Sequence, residues 1–446
     1  MIILKIIHGY PMRFNAGSEV YSQLLCHELA QEHEVHVFTR EEDVFKSDYV
    51  MHREEDTLDS RIKVHVINMP KLRLLQRYQH TIVDQKFELL LEKVKPDIVH
   101  IGHLNHLSTS LVNVIHKKNI PIVFTLHDYW LMCPRGQFLQ RNSQEPWALC
   151  DSQEDSKCAS HCFTGFFSGS SEDQESDAAY WTRWVSQRMN HIQDVVAKVD
   201  LFVAPSQYLL CRFRDEFKIP KEKLTYLDYG FNLERLKNRS RVSHEPFTFG
   251  YIGTHIPAKG IQDLIIAFSH VKEDCLLRIW GRSREETASL QSIVSTLPSH
   301  VQKRIEWKPE YRNQEIVADV FNHIDTLVVP SIWVENSPLV IHEALQVRLP
   351  VITANVGGMA EYIHHGVNGL LFKHRNPVSL AAQMEVLALN PTYAAQLGSR
   401  GYLQSKTKDI PCIKKHVSDV EAIYHNLLIE KGKRVYAKTW PMANHL

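Results

Sequence analysis

The sequence has no net charge and no long apolar run. Lysine plus arginine number 51, as do aspartate plus glutamate, in a chain of 446 residues. That balance excludes a whole-surface attraction to nucleic acid or to an anionic membrane, while leaving room for a local basic cleft. The most apolar stretches, such as Leu201–Pro205 and Leu327–Pro330, are strand-sized. They fall far short of the roughly 20 residues that cross a bilayer. Met1 to Ile7, followed by His8, Gly9, Tyr10 and Pro11, lack the core and cleavage site of a secretory signal. They read as a buried first strand, which sets the expectation of a cytoplasmic protein with mostly reduced thiols. What the chain does have is 44% apolar residues, enough for large cores and against bulk disorder.

Short β-rich runs alternate with helix-length amphipathic runs almost throughout. Ile2–Ile7 reads as a strand and Ser18 as the cap of a helix reaching about Ala30; Glu34–Thr39 reads as the next strand. Ile62–Ile67, Ile98–Ile101, Ile120–Leu126, Leu201–Ala204 and Leu224–Leu227 continue the series. Unbroken apolar strands separated by helices imply a parallel sheet covered on both faces. The polar stretch from Asn232 to Pro246, with Glu234, Arg235, Lys237, Asn238 and Arg239, reads as a linker. A second series starts at Thr248 and runs through Leu276–Trp280, Ile305–Trp307, Thr326–Val329, Pro350–Thr353 and Gly369–Phe372. The fold class is therefore α/β, with two Rossmann-like, doubly wound parallel-sheet domains in tandem. Expected limits are 1–238, interrupted near 133–180 by a cysteine-containing insert, and 239–403. Residues 404–446 read as a final helix and tail, with the N-terminal domain as a surface to pack back on. Gly165–Asp177 reads as a mobile loop.

In such sheets ligands bind beyond the carboxyl ends of the strands. The most informative segment there is Pro330 to Leu345. After the strand ending at Val329, a loop carries Glu335; Ser337 reads as an N-cap with Pro338 at the first helical position. The donors at that helix start belong to Leu339, Val340 and Ile341, an anion site suited to a diphosphate. Glu343 lies four residues past Leu339, on the same face and one turn deeper. A carboxylate there can accept from two ribose hydroxyls, while Glu335 faces the other end of the ligand. The plain alternative makes Glu335 a solvated loop residue and Glu343 an exposed helix residue. Asn355-Val356-Gly357-Gly358-Met359-Ala360-Glu361, following a strand, adds a tight turn that lets backbone approach a ligand.

These motifs, in this order, resemble family four of the retaining glycosyltransferases, which have the GT-B fold, two domains facing a cleft. The matching residues are Glu335-Asn336-Ser337-Pro338, Glu343-Ala344, Pro350-Val351-Ile352, Gly357-Gly358, Glu361 and Gly366 to Leu370. Upstream, Gly250 to Gly253, Lys259-Gly260 and Pro330-Ser331 continue the likeness. The resemblance implies that Glu335 contacts the transferred sugar, Glu343 the ribose and Lys259 the diphosphate. Thr125-Leu126-His127-Asp128 matches the N-domain motif whose histidine lies beside the donor sugar, and Gly17 the loop whose backbone approaches the sugar phosphate. Many members carry an arginine after the glycine matching Gly253; here that residue is Thr254. Lys259 then acts with the helix amides alone, or Arg282 contributes.

The resemblance implies transfer of a sugar from a UDP-, GDP- or ADP-sugar to a glycan or lipid-linked acceptor, with retention and no required cofactor. No carboxylate in the motifs suits a double displacement, so the expected route is front-face attack. Catalysis then rests on positioning and on charge stabilisation of the leaving group. Cations and helix amides do the work of magnesium, and no paired-aspartate motif is present. A nucleotide-sugar 2-epimerase and a non-catalytic glycan- or partner-binding scaffold are the competing readings. Glu335 with Lys259 favours transfer over both. Cys133, Cys150, Cys158 and Cys162 form a cluster that reads as a structural zinc set, as free thiols, or as a redox-labile pair. Lys71, Arg73 and Arg77 with Leu72, Leu74 and Leu75 offer at most a peripheral membrane contact; a solvated helix face is the plainer reading.

Overall fold

Apolar runs without polar alternation become parallel strands, as a sheet covered on both faces requires. The computed structural model describes residues 1–11, 13–71, 78–141, 147–164, 171–241 and 246–432. The described chain falls into two compact units.

The first unit comprises Met1–Thr125, Asp194–Val203 and the chain from Lys414 onwards. Its strands are β1 (Ile2–Ile6), β2 (Glu34–Glu41), β3 (Met51–Glu55), β4 (Lys63–Asn68), β5 (Ile98–Ile101), β6 (Ile122–Thr125) and β7 (Leu201–Ala204). They run in the order β3-β4-β2-β1-β5-β6-β7. All pairings are parallel except β3 with β4. That antiparallel strand was not anticipated: Met51–Glu55 is half-exposed and mostly charged, so it carries no apolar signal. The first helix is Gly17–Leu29. Ser18 does not cap it; Ala16 holds the cap position, and the Ser18 hydroxyl donates to Glu19 at 2.8 Å. Helix Ile413–Glu430 brings Tyr424 to His100 (2.6 Å) and His416 to Tyr21 (2.8 Å).

The second unit comprises Leu126–Gln193 and Ala204–Ile413. After β8 (Leu224–Tyr226) come β9 (Phe247–Ile252), β10 (Cys275–Trp280), β11 (Ile305–Trp307), β12 (Thr326–Val329), β13 (Val351–Ala354) and β14 (Gly369–Phe372). The last six form a fully parallel sheet in the order β11-β10-β9-β12-β13-β14. The chain winds outward from β9 to β11, then returns to β12 on the other side of β9. The topological switch point therefore lies between β9 and β12, where this architecture opens its ligand crevice.

Two stretches fold differently from their sequence reading. Ser171–Asp177 is not loop but the beginning of the helix Ser171–Lys198, with Glu172 and Asp173 favourably placed in its first turn. The stretch taken as a linker is anchored to the second unit. Asn232 caps a helical turn at Leu233–Leu236, Arg239 donates to the carbonyls of Phe321 and Ile324, and Arg241 pairs with Asp325 at 2.8 Å.

Candidate active site

Lys259 follows β9 and Glu335 follows β12, so the two residues flank the switch point. The Lys259 ammonium meets Glu335 Oε1 at 2.9 Å and lies 5.6 Å from the Trp333 ring centre. The Ser331 hydroxyl donates to the same carboxylate oxygen. Glu335 is buried, at 6% exposure, which rules out a solvated loop residue. Its backbone is fixed as well, because the Gly358 amide donates to its carbonyl at 2.9 Å. A Cβ on Gly358 would sit 1.2 Å from the Asn336 carbonyl oxygen. The glycine pair therefore serves close approach of backbone to the loop carrying Glu335, rather than a turn alone. On the other flank Gly260 has φ +71°, and a Cβ there would lie 2.1 Å from the Pro330 carbonyl oxygen.

The helix beyond this loop is Leu339–Gln346, one residue later than expected. Pro338 takes the cap position with extended backbone, and Ser337 is no cap at all. Its hydroxyl lies 3.1 Å from Tyr362 Oη and donates to Asp228 at 3.4 Å. The Ile341 amide is already used on the Pro338 carbonyl, which leaves Leu339 and Val340 as the anion-directed amides. Glu343 is 2% exposed and pairs with Arg235, whose Nη1 also donates to the Asn313 carbonyl at 3.1 Å. Arg235 was missed as a site residue. The signal was present: Asn232 as a cap and Leu233/Leu236 spaced as a turn mark structure, not linker.

The His-Asp-Tyr-Trp segment packs on the same loop. Asn336 Nδ2 donates to the His127 carbonyl at 2.6 Å, and the Tyr129 hydroxyl donates to the Val334 carbonyl at 2.8 Å. The His127 ring stacks on Tyr229, with 5.6 Å between centres, and its Nδ1 lies 2.6 Å from the Tyr229 hydroxyl. Tyr229 follows Asp228, a buried residue that no motif indicated. Asp228 accepts from the Tyr229 amide (2.8 Å) and the Tyr402 hydroxyl (2.8 Å), and pairs with His342 at 3.0 Å. His342 could have been found as a polar residue at the buried positions it shares with Ile341, Ala344 and Leu345. Glu361 caps the helix Gln207–Asp215, accepting from the amides of Gln207 (2.8 Å) and Tyr208 (3.1 Å).

Not every anticipated residue joins this cluster by a direct contact. Thr254 offers its carbonyl to Tyr251 and Ile256, and Arg282 faces Glu310 at 3.6 Å. Gly17 belongs to the first unit. The four clustered cysteines are all free thiols. Among the described residues, no group of three or more His, Cys, Asp or Glu is arranged to hold a metal ion, so the zinc set gains no support. Burial pushes the Cys158 thiol up to about 12 and raises those of Cys150 and Cys162. The basic stretch at 72–77 lies outside the described residues; among those described, no helix is long and apolar enough to cross a membrane.

The class of protein follows from this arrangement and from two family models that match consecutive stretches. The model for Glycosyltransferase Family 4 matches residues 16–235, and that for Glycosyl transferases group 1 matches residues 233–404. With one mostly parallel and one fully parallel sheet, they support a GT-B glycosyltransferase of family four. An uncharacterized glycosyltransferase of Methanocaldococcus jannaschii is 26% identical over 229 residues, 51% of this chain and 60% of that protein. The match thus spans less than two thirds of that relative. Sucrose-phosphate synthase from Thermosynechococcus elongatus shares the fold with a TM-score of 0.68 at 17% identity, over 96% of this chain and 99% of that one. HepE of Anabaena, in complex with UDP, does so with a TM-score of 0.64 at 16% identity, over 96% and 100%.

Proposed function

We propose that this protein is a retaining glycosyltransferase that moves a sugar from a nucleotide-sugar donor to a glycan or lipid-linked glycan in the cytoplasm, as a step of polysaccharide assembly. The observation that carries the reading is a pair of buried carboxylates, each matched to a cation, on either side of one helix start: Glu335 with Lys259 and Glu343 with Arg235. Glu343 would take the ribose hydroxyls, the amides of Leu339 and Val340 with Lys259 the diphosphate, and Glu335 with His127 the sugar. With this reading goes a division of labour: residues 1–238 serve the acceptor, apart from His127 and Arg235 and with Gly17 approaching the sugar phosphate, and 239–403 the donor.

The acceptor hydroxyl attacks the anomeric carbon on the face the diphosphate leaves. The anomeric carbon–oxygen bond breaks, a new glycosidic bond forms, and the departing phosphate oxygen takes the acceptor proton. The positive groups concentrate where negative charge grows on the leaving group, which is where electrostatic stabilisation is worth most. Lys259 and the helix amides would supply that charge without a divalent ion.

UDP is the first nucleotide to try, since the fold neighbour HepE is solved with it. Thermal unfolding with millimolar UDP, GDP or ADP tests donor binding. A ligand at about a hundred times its dissociation constant adds roughly 2.7 kcal/mol. One nucleotide should raise the midpoint, and Glu343→Ala should abolish the rise. If none does so, the donor reading fails. Proton NMR of the first-formed product then tests retention: an inverted anomeric configuration sinks the front-face route.

A further inference from the structure

Asp228 and His342 take no part in the transfer chemistry above, yet they form a buried ion pair, with side chains 6% and 0% exposed. Resting on the reading of helix Leu339–Gln346 as the diphosphate seat, we propose that Asp228 and His342 are positioning residues: a charged pair that locks the start of that helix and adds a buried cation to it.

The hydrogen bonds fix the charge state. His342 is fully buried. Its Nε2 lies 3.0 Å from Asp228 Oδ2 and its Nδ1 lies 3.2 Å from the Pro338 carbonyl oxygen. Both partners only accept, so a neutral ring would point a lone pair at an oxygen; the imidazolium donates to each. Asp228 accepts from the Tyr229 amide and from the hydroxyls of Ser337 and Tyr402, while the Tyr362 hydroxyl donates to the Pro205 carbonyl at 3.0 Å. The ring is enclosed by Phe231, Tyr362 and Tyr402, with centre separations of 5.0, 4.2 and 5.7 Å. Aromatic faces stabilise a desolvated cation. Burial alone would lower the affinity of His342 for its proton. The charge and hydrogen bond of Asp228, the Pro338 carbonyl and the charge of Glu343 outweigh it, so the pKa stands above its ordinary value. The other titratable groups around the pair are Glu361, Tyr226, Tyr362 and Tyr402.

The geometry explains why these two positions matter. Pro338 is the cap of the helix, so a hydrogen bond to its carbonyl holds the first turn. Asp228 binds Ser337 on the approach to the helix, and its neighbour Tyr229 holds the His127 ring. One carboxylate thus ties the diphosphate end of the site to its sugar end.

The test compares the full-length wild type with His342→Gln and the isosteric Asp228→Asn. Near-UV circular dichroism checks the fold of each; if one variant does not fold, the other carries the test. The probes are UDP, GDP and ADP, titrated by calorimetry between pH 6 and 9. The preferred nucleotide should bind at least tenfold more weakly to either variant, and donor KM should rise while acceptor KM holds. Wild-type affinity should fall on the alkaline side as His342 loses its proton, a limb absent from His342→Gln. Independently of any nucleotide, ¹⁵N NMR of histidine-labelled protein at pH 7.5 should show a ring with both nitrogens protonated that disappears in His342→Gln. Wild-type affinity and pH profile in a folded variant would overturn the positioning role while leaving the proposed function standing. A singly protonated His342 would overturn the charged pair. If wild type binds no nucleoside diphosphate, the proposed function falls and the role falls with it, whatever the NMR shows.

Discussion

Replacing Arg235 by alanine tests whether its ion pair is what makes a buried Glu343 tolerable. Glu343 is 2% exposed, and Arg235 is its ion-pair partner. Removing one partner of a buried pair leaves an uncompensated charge, which costs about 3–5 kcal/mol. Glu343→Gln is milder: it keeps the shape and an acceptor for Arg235 and gives up only the charge-assisted part of the bond, about 1–2 kcal/mol. The double variant carries no stranded charge, so its loss should fall short of the sum by roughly 0.5–3 kcal/mol. Trp440 aside, every tryptophan lies in the second unit, so intrinsic fluorescence in a urea titration reports on the part that matters. At about 2–4 °C per kcal/mol for a large domain, Arg235→Ala should lower the melting midpoint by roughly 6–20 °C. An Arg235→Ala protein within about 1 kcal/mol of wild type, or strictly additive single effects, would refute the reasoning.

Gly358→Ala should cost about 3 kcal/mol or more and abolish sugar transfer, because its Cβ meets backbone 1.2 Å away; urea unfolding and a turnover assay check both. Lys5, 1% exposed, has its pKa lowered by burial to about 8, against 10.5 unfolded. The unfolded state thus binds the extra proton between those values, so stability should rise with pH across that window, by roughly 3 kcal/mol in all. Lys5→Met should remove that rise and be the more stable protein at pH 7, as paired urea titrations at pH 7 and 10 would show. Cys158, with its thiol pushed up to about 12, should resist alkylation at pH 8 until the protein unfolds, which mass spectrometry can follow. Transfer should persist in EDTA; loss of activity restored by magnesium would overturn the metal-free reading.

The second sheet was the more legible of the two because each of its strands is a short apolar run bounded by helix signals. The charged edge strand β3 was not legible, since an edge needs neither apolar alternation nor burial. Glu335 and Glu343 could be paired with a helix start from spacing alone. Their cations were another matter: Lys259 came from the resemblance, while Arg235 was hidden by a stretch whose charge looked like solvent exposure. Ser337 shows the limit of local reasoning. Serine before proline is a strong helix-start signal, but here the hydroxyl answers to Asp228 and Tyr362, and the cap passes to Pro338. Only tertiary structure decides between two hydrogen bonds that local sequence permits equally.

The loop that carries Glu335 is held at three consecutive residues, by Asn336 to the His127 carbonyl, Tyr129 to the Val334 carbonyl, and the Gly358 amide to the Glu335 carbonyl. A segment tethered at consecutive residues has little ordering entropy left to lose when a ligand arrives. Its dipoles are aimed before the reaction begins, and little reorganisation is needed as charge moves. Such a surface is a rigid template. Small polar fragments that match it should bind with high efficiency per atom, and they offer a direct way to map which hydroxyls of a sugar the loop prefers.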